Sequence, residues 1–371
     1  MKQFRTTSLA ARTFLATLTL GAVVCSASLA HATDYIWNRV GNQSWRNSIN
    51  WLPNTGYPKV PGDTATFNLN TSEIPGSTNL NETVTISALT VNGAPDTTNF
   101  GLVIGPGSSP DFALVFGAVS GNATYVENPH PTPGTGTVRF NAQARFDSNV
   151  VAQVASELFF NNTVSGPGSL TINGPGRVVL VGDNSYGEQG GTTVNAGSTL
   201  VAANTSGSAT GQGPVVVHGT LTGNGSIAGP VTFGGGTLAP AAYLDAPSTL
   251  TLGPTVFADS SASAVFRLGL ASDFVQVNGD LTLDGSLLVQ DAGGLGPGFY
   301  PLFGYTGNLV DNGFTVLDGP AGFNYLLDFS QAGLVGLSVA AVPEPATCVL
   351  GSFGLVAMVL AARKARRRTS K

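Results

Sequence analysis

Along most of the chain, apolar and small polar residues alternate with a period of two, in short phrases closed by glycine. Ser169-Leu170-Thr171-Ile172-Asn173-Gly174 is followed by Gly176-Arg177-Val178-Val179-Leu180-Val181-Gly182, and then by Gly191-Thr192-Thr193-Val194 and Ser198-Thr199-Leu200. Val215–Leu221, Val231–Pro240 and Val275–Leu283 repeat the theme. Such alternation turns Val and Leu to one face of a strand and Thr, Asn and Ser to the other. Leu200, Leu221 and Leu238 end equivalent phrases, at spacings of 21 and 17 residues. A coil of that length brings each strand back above its predecessor, about 4.8 Å along an axis. The pattern predicts an all-β chain whose body is a parallel β-helix, a solenoid of stacked rungs around one continuous core. A β-sandwich is the alternative, because short strands at irregular spacing suit it too. Between Phe146 and Phe160 the apolar spacing also allows one or two helical turns.

Composition agrees with a turn-rich β protein. Glycine fills 49 and proline 22 of 371 positions, and 10% of residues are charged, against a usual ~25%. The 42% hydrophobic content still supports a sizeable core. Charge is unevenly placed. Between residues 33 and 343 there are seven basic and twenty acidic residues, a net of −13. A body this acidic is a poor partner for phosphate backbones, which excludes nucleic acid. Both cysteines, Cys25 and Cys348, lie in the terminal apolar segments, so the body has no disulfide and no thiolate-bound metal.

The ends read as targeting devices. Lys2, Arg5 and Arg12 lead into an apolar run from Phe14 to Val24, followed by small residues through Ala30-His31-Ala32. That is the order of a signal peptide cleaved by signal peptidase. At the other end Val342-Pro343-Glu344-Pro345 precedes an apolar segment from Cys348 to Ala362, then Arg366-Arg367-Arg368. Taken from Ala346 to Ala362, that segment as a helix is roughly 26 Å long, at the short end of what spans a bilayer. Its basic tail is expected to stay cytoplasmic, with the body exported.

Val342, Pro343, Glu344 and Pro345, the apolar segment with Gly351 and Gly354, and the tail Arg366, Arg367 and Arg368 together resemble the PEP-CTERM sorting signal. The resemblance implies a bacterial protein handled by an exosortase-type membrane enzyme, in the setting of exopolysaccharide production. It covers about 30 residues and specifies an address rather than a chemistry. A second resemblance covers Gly166–Leu200: a glycine-rich turn, the phrase Val179-Leu180-Val181-Gly182-Asp183-Asn184-Ser185-Tyr186, then Gly190-Gly191-Thr192-Thr193-Val194 and Leu200. This is similar to the autotransporter-associated β-strand repeat, and it implies a passenger-like parallel β-helix.

Material for catalysis is thin. His130 lies in a proline-rich loop and His218 in a rung, neither with a second histidine or a carboxylate at useful sequence spacing, so a histidine triad or zinc site has no components. Asp183 with Glu188, and Asp280 with Asp284, are the candidate carboxylate pairs for glycoside cleavage. Any acidic turn yields such pairs, so no catalytic, cofactor or metal residue is assigned. Asp63 reads as a fastener of the Pro61-Gly62 turn rather than a calcium ligand. Trp37, Trp45 and Trp51 fall within fifteen positions. They suit a cap over the open end of a solenoid, or, as the alternative, a platform on which sugar rings stack.

These readings divide the chain into a signal peptide (1–32), a Trp-containing cap with the first coils (33–165), a strand-repeat solenoid (166–340) and a sorting signal with a transmembrane helix and basic tail (341–371). The function expected is that of an exported, structural or adhesive protein of the cell surface or extracellular matrix. It is anchored by the C-terminal helix before sorting and is not an enzyme. The alternatives are a glycan-binding surface protein whose partner is exopolysaccharide or another surface glycan, and, further off, a polysaccharide-degrading β-helix enzyme.

Overall fold

The computed structural model describes residues 32–39, 43–69, 77–93, 100–128, 136–240, 243, 246–342 and Met358. The signal-peptide reading, His130, and the sorting residues Pro343, Glu344, Pro345, Arg366, Arg367 and Arg368 lie outside them. Among the described residues no helix is long and apolar enough to cross a membrane; apart from Met358, the segment expected to do so also lies outside them.

The described body is all-β. One sheet of 13 strands and one of 12 run along it, and a third side carries a five-stranded and a six-stranded sheet. One coil shows the logic. The chain passes through Val150–Gln153 in the first sheet, Glu157–Phe160 in the second and Val164–Gly166 on the third side. It then returns, so that Leu170 pairs with Val150 in parallel. This is the strand order of a parallel β-helix, and the parallel pairing from coil to coil sets the sandwich aside. The three leucines singled out by spacing stack directly, Leu200 on Leu221 and Leu221 on Leu238, and all three are buried. The parallel register starts well before Gly166, with Asp34–Ile36 paired to Thr64–Thr66.

The helical turns expected between Phe146 and Phe160 are absent. That stretch is the strands Gln143–Phe146, Val150–Gln153 and Glu157–Phe160. Two tight turns interrupt any helical period, and β-branched Val150 and Val151 with large aromatics favour pleated backbone. Phe146 and Phe160 point inward and are buried, as are Phe140 and Tyr186 around them, with Phe140 stacked on Phe160 at 4.9 Å. A second stack, Phe233 on Phe257 at 4.7 Å, fills the core farther along.

Corners demand glycine where coils crowd. At Gly191 φ is +63°, and a Cβ there would lie 1.8 Å from the carbonyl oxygen of Pro214 in the next coil. No L side chain fits both that torsion and that contact.

At each end one sheet departs from parallel pairing. At the first, Trp51–Leu52 pairs antiparallel with Ile36–Trp37 at the edge of the first sheet. Trp45 and Trp51 are fully buried, and Trp37 nearly so. Trp51 meets Trp37 at 4.9 Å and Trp45 at 4.8 Å, edge to face, and Phe67 stacks beneath Trp37 at 5.4 Å. Each indole N–H is satisfied by a backbone carbonyl: Trp37 donates to Arg39, Trp45 to Pro58 and Trp51 to Trp45. At the other end Gly298–Tyr305 pairs antiparallel with Leu334–Ala341, which pairs in turn with Phe323–Asp328. The edge strands of the other sheets stay parallel, Gln43–Ser44 at the first end and Leu309–Asp311 and Thr315–Asp318 at the second.

Truncating the indole at the centre of this cap should be among the costliest single changes. Trp51→Ala is expected to lower unfolding stability by about 3–5 kcal/mol, read from urea denaturation. A loss near that of an exposed residue, under ~0.5 kcal/mol, would refute the cap assignment.

Candidate functional site

Alternation leaves one column of outward side chains at each register position, free of the core. On the second sheet Glu157, Arg177, Thr199 and Thr220 occupy one such column, coil above coil. Arg139, Phe159, Val179, Val201 and Thr222 occupy the next. Phe159, Val179 and Val201 form a small apolar cluster outside the main core, covered in part by Tyr243. Tyr243 sits in the segment that leaves the second sheet after Ala239. Thr222 fastens it there: its Oγ1 accepts from the Tyr243 N–H at 3.3 Å and donates to the Pro240 carbonyl at 3.5 Å.

Between Tyr243 and the sheet lies a cleft of about 360 Å³. Arg177 and Glu157 form an ion pair across adjacent coils on its floor. The Arg177 guanidinium also lies 4.8 Å from the Tyr243 ring centroid, and Arg139 lies 3.9 Å from that of Phe159. Both are cation–π contacts. Thr199, Thr220 and Thr222 supply the remaining polar lining, with Ser156 at one end.

Ser156 is held from below by an inward carboxylate. Glu127, on the Ala123–Asn128 strand, is buried. It accepts the N–H groups of Ala155 and Ser156, each at 3.1 Å, and the Ser156 hydroxyl. Burial raises its carboxyl above the ordinary glutamate range, although the Ser156 and Ala155 hydrogen bonds pull the other way. Burial likewise raises the Tyr125 phenol, with the Glu127 charge adding to the shift.

The same device recurs at other corners. Asp63 is buried and accepts from the backbone of Thr33, Lys59 and Val60 at 3.0–3.2 Å, so it fastens the Pro61-Gly62 turn. Asn184 accepts from Val164 N–H one coil back and donates to the Ala209 carbonyl one coil on, both at 2.7 Å. Asp273 accepts from the N–H groups of Ser248 and Arg267, at 3.0 and 2.8 Å.

The candidate carboxylates serve turns in the same way. Asp183 accepts from Ser208 N–H, Asp280 from the backbone and side chain of Asn308, and Asp284 from Gly285 N–H. Glu188 lines a separate hollow with Gly166, Pro167, Ser185 and Gln189. His218 is exposed, its Nδ1 2.6 Å from the Gly234 carbonyl. Among the described residues no three His, Cys, Asp or Glu side chains gather as a metal site.

The sugar-stacking alternative for Trp37, Trp45 and Trp51 is corrected. Their rings pack on one another and on Phe67 beneath the surface, which leaves no stacking face for a ligand. Val342, the first residue of the sorting motif, is half exposed, and its N–H bonds the Gly322 carbonyl directly after the last strand. The cleft itself was not singled out from the sequence. Its signal was Arg177, one of seven basic residues in the body, lying twenty positions after Glu157. That separation becomes meaningful only once the coil length at this point is known.

Residues 341–368 match the PEP-CTERM protein-sorting motif. The match begins at the last residue of the final strand, Leu334–Ala341. The chain is also 36% identical over 166 residues to "Adhesin BmaC autotransporter" of Brucella suis biovar 1 (strain 1330). That alignment covers 42% of this chain and 5% of the adhesin's length. The chain thus carries a PEP-CTERM sorting motif and shares sequence with an autotransporter adhesin.

The raised carboxyl of Glu127 sets a pH dependence. The folded state keeps the Glu127 proton to higher pH than the unfolded chain, which loses it near pH 4.3. Above that point the unfolded state binds fewer protons, so this group's contribution falls as pH rises towards the folded value. The stability of the native protein relative to Glu127→Gln is therefore expected to decline as pH rises above about 4, until the folded carboxyl itself ionises, measured by urea unfolding at several pH values. A difference that stays constant with pH would rule this out.

Proposed function

We propose that this chain is an exported structural or adhesive protein of the bacterial cell surface or extracellular matrix, delivered by its C-terminal sorting motif. The observation that carries the reading is the motif match over residues 341–368. Similarity to an autotransporter adhesin supports a surface role. The physics of the body is consistent with it: stacked coils make a stiff, hydroxyl-rich and net acidic rod whose core holds without a disulfide. An N-terminal signal peptide starts export, the C-terminal helix holds the chain in the membrane with its basic tail inside, and an exosortase-type enzyme recognises Pro343-Glu344-Pro345. The body then acts as a spacer or adhesive surface rather than as a catalyst.

Deleting residues 343–371 in the native host tests this directly. Surface-exposed protein, measured by protease accessibility on intact cells and by fractionation, is expected to fall at least about tenfold while the body stays folded. Glu344→Ala should give a smaller loss of the same kind. Unchanged surface delivery of the deletion form would overturn the sorting role.

A further inference from the structure

We propose that the cleft beside Arg177 is a binding site for a neutral pyranose ring of a surface or matrix glycan. The inference goes beyond export and sorting, and rests on the cleft alone. Its volume, about 360 Å³, falls in the lower part of the range for small-ligand sites, enough for one sugar ring or a short piece of chain.

The lining has the chemistry that sugar rings need. A pyranose presents hydroxyls that both donate and accept, set around an apolar C–H surface. Arg177 and Glu157 put a donor and an acceptor side by side on adjacent coils, about 4.8 Å apart in rung spacing. Thr199 and Thr220 continue that column one and two coils further. Tyr243 is half-buried and forms the apolar wall opposite. Its backbone is tied to the sheet by the Thr222 hydrogen bonds.

Charge selects the neutral ring over an acidic one. The Arg177 cation is already neutralised by Glu157, and the surrounding body carries seven basic residues against twenty acidic ones. A uronate would meet no net positive charge in the cleft and an acidic field outside it. The column of Glu157, Arg177, Thr199 and Thr220 runs along the coil axis. A linear glycan would therefore lie along the rod, with one ring beside Tyr243.

The test uses the full chain in detergent with the methyl glycosides of glucose, galactose and mannose, and with methyl glucuronide as the charged comparator. Saturation-transfer NMR and calorimetry are the readouts. At least one neutral glycoside is expected to bind saturably and more tightly than the glucuronide. Tyr243→Ala should weaken that binding about tenfold through lost ring contact, and Thr220→Val should weaken it several-fold while leaving the melting temperature within a few degrees. Thr171→Val, on the first sheet, should change nothing. Absence of saturable binding to all three neutral sugars, preference for the glucuronide, or indifference to both cleft variants would each overturn the proposal. Surface delivery is measured separately, so failure here leaves the sorting reading standing.

Discussion

In the stacked coils a strand finds its hydrogen-bond partners one coil earlier and one coil later, and that requirement governs the molecule. It forces every coil to return in register. It lets the outward column at each position change freely, and it moves all structural difficulty to the corners. There the ladder breaks and backbone N–H groups turn towards the interior. An unsatisfied buried N–H costs about 1–3 kcal/mol. Glu127, Asp63, Asn184 and Asp273 each reach from one coil to bind such groups. A short polar side chain at a corner is therefore a coil-to-coil clamp. Most of the acidic side chains that looked available for chemistry are engaged in holding turns.

The same constraint explains where function can reside. Inward positions are filled by stacked leucines and phenylalanines and cannot vary without cavities. At each end one sheet finishes in antiparallel strands, over an indole cluster at the first and as a three-strand patch at the second. Outward columns remain. On most of them threonine, serine and valine alternate without forming a hollow. After Ala239, three coils beyond Arg177, Tyr243 lies back against the second sheet, and a cleft with concentrated polar chemistry results.

Much of the architecture was legible in the residues. Period-two alternation and the spacing of Leu200, Leu221 and Leu238 anticipated a stack that the register reproduces pair by pair. The phrase Asp183-Asn184-Ser185-Tyr186 carried the repeat resemblance, and the structure shows what it does: Asn184 bridges three coils, and Tyr186 is buried against Phe146 at 5.2 Å. The helical reading of Phe146–Phe160 failed because apolar spacing alone does not register two tight turns. The tryptophans were legible as a cap, but their burial could not be read from sequence, since an indole serves a core and a sugar face equally well. The cleft was invisible for a different reason. Glu157, Arg177, Thr220 and Tyr243 are far apart in sequence, and coil lengths vary from one rung to the next, so no fixed spacing announces their meeting.

The register itself is the claim on which everything else stands, and a pair of engineered cysteines reads it directly. In a Cys25→Ser, Cys348→Ser background, Thr171→Cys with Thr193→Cys places two outward thiols on paired positions of adjacent coils. At about 4.8 Å between strands they lie within disulfide reach. Thr171→Cys with Thr232→Cys lies on the same column three coils apart, beyond that reach. Mild oxidation is predicted to close the first pair nearly completely and leave the second reduced, as seen by mass spectrometry of the folded protein. A folded protein in which the first pair stays open, or in which both pairs close equally, would contradict the stacked-coil account.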